Sequence, residues 1–237
     1  MTTTIDNLPV TISDRVYQEL RAQILHGELE PGTRLVQRKL AAQFNTSSIP
    51  VLEAIRRLER DRLLITQSKW GAEVNSWTLE DAEVAFGMRE GMEAVAARLF
   101  VERATPSEKL LLPEYNRAYD NAALTRDLKA ATNADIALHL YITQCSKSAN
   151  LYHLAEHSYI VTATINGGLR LAGKTTIDDP AKYIGRHNEL VEALLGDDPQ
   201  RAEQAARSLV RDGLNELLAL RQKKSTSKTS ARNSRTK

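Results

Sequence analysis

Between Ser47 and Arg60 the apolar residues Val51, Ala54, Ile55 and Leu58 recur at separations of three and four, so they share one stripe of a helix and leave Ile49, Leu52, Glu53, Arg56 and Arg60 facing outward. Ser47 stands at the N-cap position, and Pro50 falls in the first turn, where its missing N–H costs little. Two helices precede this one. Val16, Leu20 and Ile24 follow at every fourth position after Ser13, a candidate cap, and Gly27 closes that segment. Pro31-Gly32 then redirects the chain into a short helix, roughly Gln37 to Phe44, with Leu40, Ala41 and Phe44 inward, and the chain turns again at Asn45-Thr46. Beyond the third helix, Leu63-Leu64-Ile65-Thr66 and Ala72-Glu73-Val74 read as two short strands joined by a QSKWG hairpin tip. Three helices and a two-stranded wing constrain residues 11–75 to a winged helix-turn-helix. In that arrangement the third helix offers its N-terminal side chains to base edges in the major groove, while Lys, Arg and helix N-termini meet phosphates.

The charge supports a divided chain. Residues 11–75 hold 10 Lys/Arg against 8 Asp/Glu, residues 76–220 hold 15 against 21, and residues 221–237 hold 7 against none, so a net charge of +2 conceals an acidic middle and a basic end. RQKKSTSKTSARNSRTK has one alanine and no other apolar residue, and residues 223–237 are therefore expected to stay unordered as a basic tail with nonspecific attraction to nucleic acid. With aromatics at 5%, and Ala, Leu, Arg and Glu dominating the middle and end, the fold class is mainly α. Cys145 is the single cysteine and cannot close an intramolecular disulfide, which fits a reducing cytoplasm. No apolar run approaches the roughly 18 residues of a membrane helix, so no membrane partner is expected.

Ser76-Trp77-Thr78 reads as a connector, with a linker at 76–79, and Thr78 with Glu80 and Asp81 marks a capped helix start. Helical periodicity then continues through approximately 79–104, 107–126, 128–146, 148–172, 180–196 and 199–222, about six helices making a second domain over 80–222. Within it, Asp135 and His139 lie four residues apart on one helix face, and His187 begins the next-to-last helix. Oxygen and nitrogen donors from different helices of a bundle can hold a divalent metal, although an Asp/His pair at this spacing is common on ordinary helix faces. Arg89 either pairs with a ligand carboxylate or neutralises Glu93. His153 and His157 share a face without a third partner and read as ordinary polar positions.

These residues resemble a known family. The run from Ile24 to Leu35, the run Pro50 to Glu59 and the wing Gly71-Ala72-x-Val74 are similar to the DNA-binding domain of GntR-family bacterial transcription regulators. The resemblance implies DNA contacts from Arg38, Ser47, Ser48, Ile49, Leu52, Arg56, Lys69, Trp70 and Gly71. Trp70 reads equally well as a partly buried anchor. Ser48 and Leu52 stand where family members carry arginines, which removes two donors able to grip guanine and implies an unusual operator. Arg89-x-x-x-Glu93, Asp135-x-x-x-His139, Ser148-x-Asn150, and His187 followed eleven residues later by Asp198 resemble the FadR-type (FCD) branch. That branch implies an antiparallel helical bundle whose central cavity takes a small effector, here through Arg89, Asp135, His139 and His187. Its metal-binding members use one Asp and three His. In this chain Asp135, His139 and His187 remain as ligands for a zinc- or nickel-like divalent ion, and Leu209 occupies the place of the fourth.

The expectation is a homodimeric, cytoplasmic repressor, not an enzyme. It would bind a near-palindromic double-stranded operator with an affinity set by a small metabolite, a carboxylic acid by the same resemblance. Two alternatives stand beside it. One is a metal-dependent enzyme in which the Asp135/His139/His187 cluster activates water. The other is a sensor acting mainly by protein association, its DNA contacts degraded at Ser48 and Leu52.

Overall fold

The structure, a computed structural model, describes residues 10–66, 71–169 and 177–233, with side chains placed through Gly167 in the seventh helix and Ala219 in the last. The chain divides into two compact units, Met1–Ser76 and Trp77–Lys237.

In the first unit, α1 (Ile12–Leu25), α2 (Gln37–Gln43) and α3 (Ser48–Arg60) are accompanied by β1 (Arg34–Leu35), β2 (Leu64–Thr66) and β3 (Ala72–Val74). The cap of α1 is Thr11 and not Ser13. The Thr11 hydroxyl accepts from the Asp14 N–H while the Asp14 carboxylate accepts from the Thr11 N–H, a reciprocal box that satisfies two backbone donors and leaves Ser13 inside the helix. The turn between α2 and α3 is made by Asn45 at φ 49°, a left-handed conformation that asparagine tolerates.

Val16, Leu20 and Ile24 of α1 are buried with Val51, Ala54, Ile55 and Leu58 of α3, the stripes that periodicity indicates. At the edge of this core the Arg57 guanidinium bonds Asp14 at 2.5 Å and lies 4.1 Å from the Tyr17 ring centre, while the Tyr17 hydroxyl donates to Asp61 at 2.6 Å. The hydrogen bonds from Thr11 and Arg57 hold the Asp14 carboxyl down to about 2, and burial together with the Asp61 bond pushes Tyr17 up to about 12. These contacts fix the orientation of α3 on α1, and hence which of its side chains face outward.

The sheet has three strands rather than two. β3 lies between β1 and β2 and pairs antiparallel with both, with Leu35 opposite Ala72, and Leu64 opposite Val74. A two-residue strand carries no period of its own, so β1 becomes a strand only through its neighbour.

The second unit is all helical among its described residues apart from turns: α4 (Leu79–Arg103), α5 (Pro106–Leu124), α6 (Leu128–Cys145), α7 (Ala149–Leu169), a single 3-10 turn at Pro180–Lys182, α8 (Asn188–Leu195) and α9 (Pro199–Asn233). Thr78, Thr105 and Asp127 cap α4, α5 and α6 with their side-chain oxygens. The small residues Ala96, Ala97, Ala202 and Ala206 let α4 and α9 approach closely, around a core filled by Phe100, Leu112, Leu138 and Leu194. Arg207 and Arg211 of α9 both reach Glu90 of α4, the latter at 2.7 and 2.9 Å.

Two helices depart from the sequence expectation. The stretch 180–196 is not one helix: after the 3-10 turn the chain passes through Gly185 at φ 75°, where a β-carbon would lie 3.0 Å from the Asn188 side chain, and only then enters α8. The last helix continues to Asn233, past residue 222, where the sequence reading ends it and expects an unordered tail. No glycine or proline interrupts 214–233, and extending an existing helix costs far less than starting one. No helix among the described residues is long and apolar enough to cross a membrane.

Candidate functional site

The outward face of α3 is the first region of interest. Ser47, Ser48, Ile49, Leu52 and Arg56 are all exposed there, and Arg38 is exposed on α2. The Gln37 side chain donates to the Ser48 carbonyl at 2.7 Å and ties the start of α2 to the first turn of α3. Ser47 caps α3 by position only, since its side chain makes no capping hydrogen bond. Gly71 stands at φ 97° at the start of β3, and a β-carbon there would approach the Leu35 carbonyl oxygen to 3.0 Å. Glycine is what lets the wing close against β1 at that point. Lys69 and Trp70, expected at the wing tip, lie outside the described residues.

The second region is a cavity of about 110 Å³ within the helical unit. α6 presents Asp135 and His139 to it from one face, as their four-residue spacing requires. The turn at Gly185, whose N–H donates to Asp120 at 2.9 Å, delivers His187 at the N-cap of α8. His187 Nε2 lies 3.1 Å from Asp135 Oδ1, and His139 Nε2 lies 3.8 Å from the same oxygen. One donor atom from each of the three residues lies within 4.8 Å of the others.

Behind them, Glu93 of α4 places Oε2 3.0 Å from His139 Nδ1, and its other oxygen accepts from Arg89 at 2.5 Å. Arg89 also lies 3.9 Å from Asp135 and 5.0 Å from the centre of the Tyr159 ring. The sequence offers Glu93 as a neutraliser of Arg89; the structure shows that it does this while its second oxygen, which completes no hydrogen bond of good geometry, lies against the His139 ring. A carboxylate this close to one imidazole nitrogen favours the tautomer that carries its proton there and leaves the other nitrogen free to ligate, the usual support of a metal-binding histidine.

The cavity electrostatics follow from burial. Burial pushes His187 below its ordinary value and so favours neutral imidazole, the form that can ligate. Burial opposes ionisation of Asp135, yet the His187 hydrogen bond and the Arg89 guanidinium hold its carboxyl well below the usual range. His187 Nδ1 and Asn166 Oδ1 are buried without a hydrogen-bond partner among the described residues. Two neutral-capable imidazoles and an ionised carboxylate converging on one point, with a carboxylate supporting one ring, fit a divalent ion of the zinc or nickel type.

Leu209 lines the same cavity, so the place that family resemblance gives to a fourth ligand is on the wall but carries no donor. Asp198 accepts from the backbone N–H groups of Gln200 and Arg201 and serves as a cap for α9. His153 and His157 are exposed. Tyr119, Tyr159, Asn166 and Arg186 also line the cavity and are not marked by any spacing in the sequence. Arg186, next to His187 in the chain, bonds Glu216 at 3.1 Å.

Residues 12–74 match the family of bacterial regulatory proteins of the gntR type, and residues 85–212 match the FCD domain. The chain belongs to the GntR family, in its FCD-bearing branch. Members of this family are DNA-binding transcription regulators with an effector-binding C-terminal domain, and the chain is a regulator of that kind and not an enzyme.

Relatives include the HTH-type transcriptional repressor RspR of Escherichia coli (strain K12), 25% identical over 82% of this chain and 83% of its own. The galactonate operon transcriptional repressor of the same strain is 27% identical over 84% and 93%. YdhC, an HTH-type transcriptional regulator of Bacillus subtilis (strain 168), is 29% identical over 60% of this chain, a match spanning 63% of YdhC. The solved structure of E. coli McbR/YncC has the same fold, with a TM-score of 0.78 at 23% identity over 89% of this chain and 99% of that one.

Proposed function

We propose that this GntR-family chain is a repressor that binds a near-palindromic operator as a homodimer. On this reading it loosens or tightens that grip when a small carboxylate enters the cavity of its helical unit. The observation that carries the effector assignment is the convergence of Asp135, His139 and His187 on one point of a cavity that Arg89 also lines. Those three residues would hold the divalent ion, with Glu93 lying against the His139 ring. Such an ion would offer open coordination positions to ligand oxygens.

Charge counting favours an acidic effector when that ion is present. Arg89 faces Glu93 and Asp135 while Arg186 is paired with Glu216, so the two guanidinium groups and three carboxylates sum to −1, and a divalent cation would leave a surplus of +1 that a carboxylate neutralises. The galactonate operon repressor among the relatives makes sugar acids the first candidates.

Val84 and Met88 of α4 are exposed in an apolar row with Gly87 and Gly91, beside which there is open space, and this row supports dimerisation through α4. Two-fold symmetry of the protein would then be mirrored in the operator.

The test is titration of the full chain onto a bound genomic fragment with a panel of sugar acids and other small carboxylates, before and after chelation, with sedimentation to read stoichiometry. One acid should shift operator affinity at least fivefold, chelation should abolish the shift, and two chains should bind per site. No shift with any acid in the metal-loaded protein would remove the effector assignment, and one chain per site would remove the dimer.

A further inference from the structure

We infer that α3 selects its DNA by contact with thymine methyl groups, through Ile49 and Leu52; this rests on the reading of α3 as the helix that enters the major groove. Ile49 is 69% exposed and Leu52 36% exposed, although both are branched aliphatic side chains and Val51, Ile55 and Leu58 of the same helix are buried. They are three residues apart, so they neighbour each other on the helix surface, on the side away from the buried Val51, Ala54, Ile55 and Leu58.

The surroundings of this pair are polar and in part cationic. Ser47, Ser48 and Glu53 are exposed beside it, Arg56 and Arg60 follow along the same face, and Arg38 is exposed on α2. An apolar pair bordered by arginines matches a surface that is anionic at its edges and apolar at its centre. A DNA major groove lined by phosphates has that form where thymines fall.

The chemistry of the groove then singles out the base. Guanine shows two acceptors there, adenine an acceptor and a donor, and cytosine a donor; thymine alone adds an apolar group, its C5 methyl. Between Ser47 and Ile55 no cationic side chain is present, so this stretch has no fork to grip guanine. Ile49 or Leu52 set against guanine or adenine would strip water from acceptors without replacing the bonds, which costs free energy, whereas contact with a methyl removes apolar surface from water on both sides. The same two side chains therefore attract thymine and reject purine edges.

Replacing thymine by uracil deletes only the methyl and leaves base pairing intact. The experiment takes the genomic fragment most tightly held by the full chain and substitutes deoxyuridine at each thymine in turn, for the parent protein and for Ile49→Ala and Leu52→Ala. Both residues are exposed, so alanine leaves the core of the unit intact. At one or two thymines per half-site the parent should lose affinity by a factor of about three to five, the effect of one buried methyl. Each alanine variant should bind more weakly and lose the thymine preference at the position its residue covers. Leu52→Arg should exchange that preference for guanine.

Selective binding that is equally tight with uracil at every position would overturn this inference and leave the regulator intact. Methyl sensitivity that persists in the Ile49→Ala/Leu52→Ala protein would overturn the assignment to these residues. A chain that prefers no fragment at all would overturn both the inference and the DNA-reading function on which it rests.

Discussion

Replacing Glu93 by glutamine tests the electrostatic design of the cavity. The Glu93 side chain is 4% exposed and that of Arg89 is 11% exposed, so the two form a buried ion pair, and Glu93 also faces His139. Removing one partner of a buried pair costs about 3–5 kcal/mol, because the charge left behind is neither solvated nor matched. Here the lower end, about 3 kcal/mol, is expected, since Asp135 at 3.9 Å still faces Arg89 and the carboxamide keeps one acceptor. For a domain of this size each kcal/mol moves the midpoint by about 2–4 °C, so Glu93→Gln should melt about 6–12 °C below the parent.

Thermal and urea unfolding of the metal-free full chain, followed by circular dichroism, reads the effect. Arg89→Met/Glu93→Met should recover part of the loss, because the Arg89 charge is removed together with its Glu93 partner, while Asp135 loses Arg89 but keeps its contact with His187. A Glu93→Gln protein within about 0.5 kcal/mol of the parent, with the double variant less stable still, would refute the buried-pair account.

Further outcomes follow from the same geometry. Arg38→Ala should weaken operator binding and reduce the slope of log affinity against log salt by about one, as loss of a phosphate contact does; an unchanged slope in filter-binding or anisotropy titrations would count against a phosphate contact. His187 is depressed below 6.5 by burial, so as pH falls the unfolded chain takes up this proton before the folded one. Its contribution is complete above about pH 6.5 and declines below it, by at most about 1.4 kcal/mol per pH unit for one proton, and His187→Gln should flatten that part of the metal-free stability profile. Gly71→Val should destabilise the N-terminal unit by about 1–3 kcal/mol, since it forces a branched residue to φ 97° against the Leu35 carbonyl; differential hydrogen exchange of β3 would show it.

What is legible in the sequence is what has a period or a spacing. The stripe of α3, the Thr78 cap and the shared face of Asp135 and His139 are all local, and each is found where local rules place it. Other features depend on partners distant in the chain. β1 needs β3, and the kink that delivers His187 depends on Gly185 meeting Asp120, 65 residues away. Glu93 takes its second role only because α6 brings His139 within 3.0 Å of it. Ser13 and Thr11 are both reasonable caps by residue type, and Asp14 decides between them by closing the box on Thr11. The extent of α9 follows from cooperativity along the helix, which composition alone does not carry.

The central claim is that the outward side chains of α3 convert a double helix into a sequence choice. Its most direct test is competition binding of the purified full chain to genomic fragments against scrambled competitor of equal composition, at fixed salt. The account predicts fragments enriched for a common two-fold symmetric motif and held at least a thousandfold more tightly than scrambled DNA, as specific regulators are. Equal affinity for genomic and scrambled duplexes would contradict it.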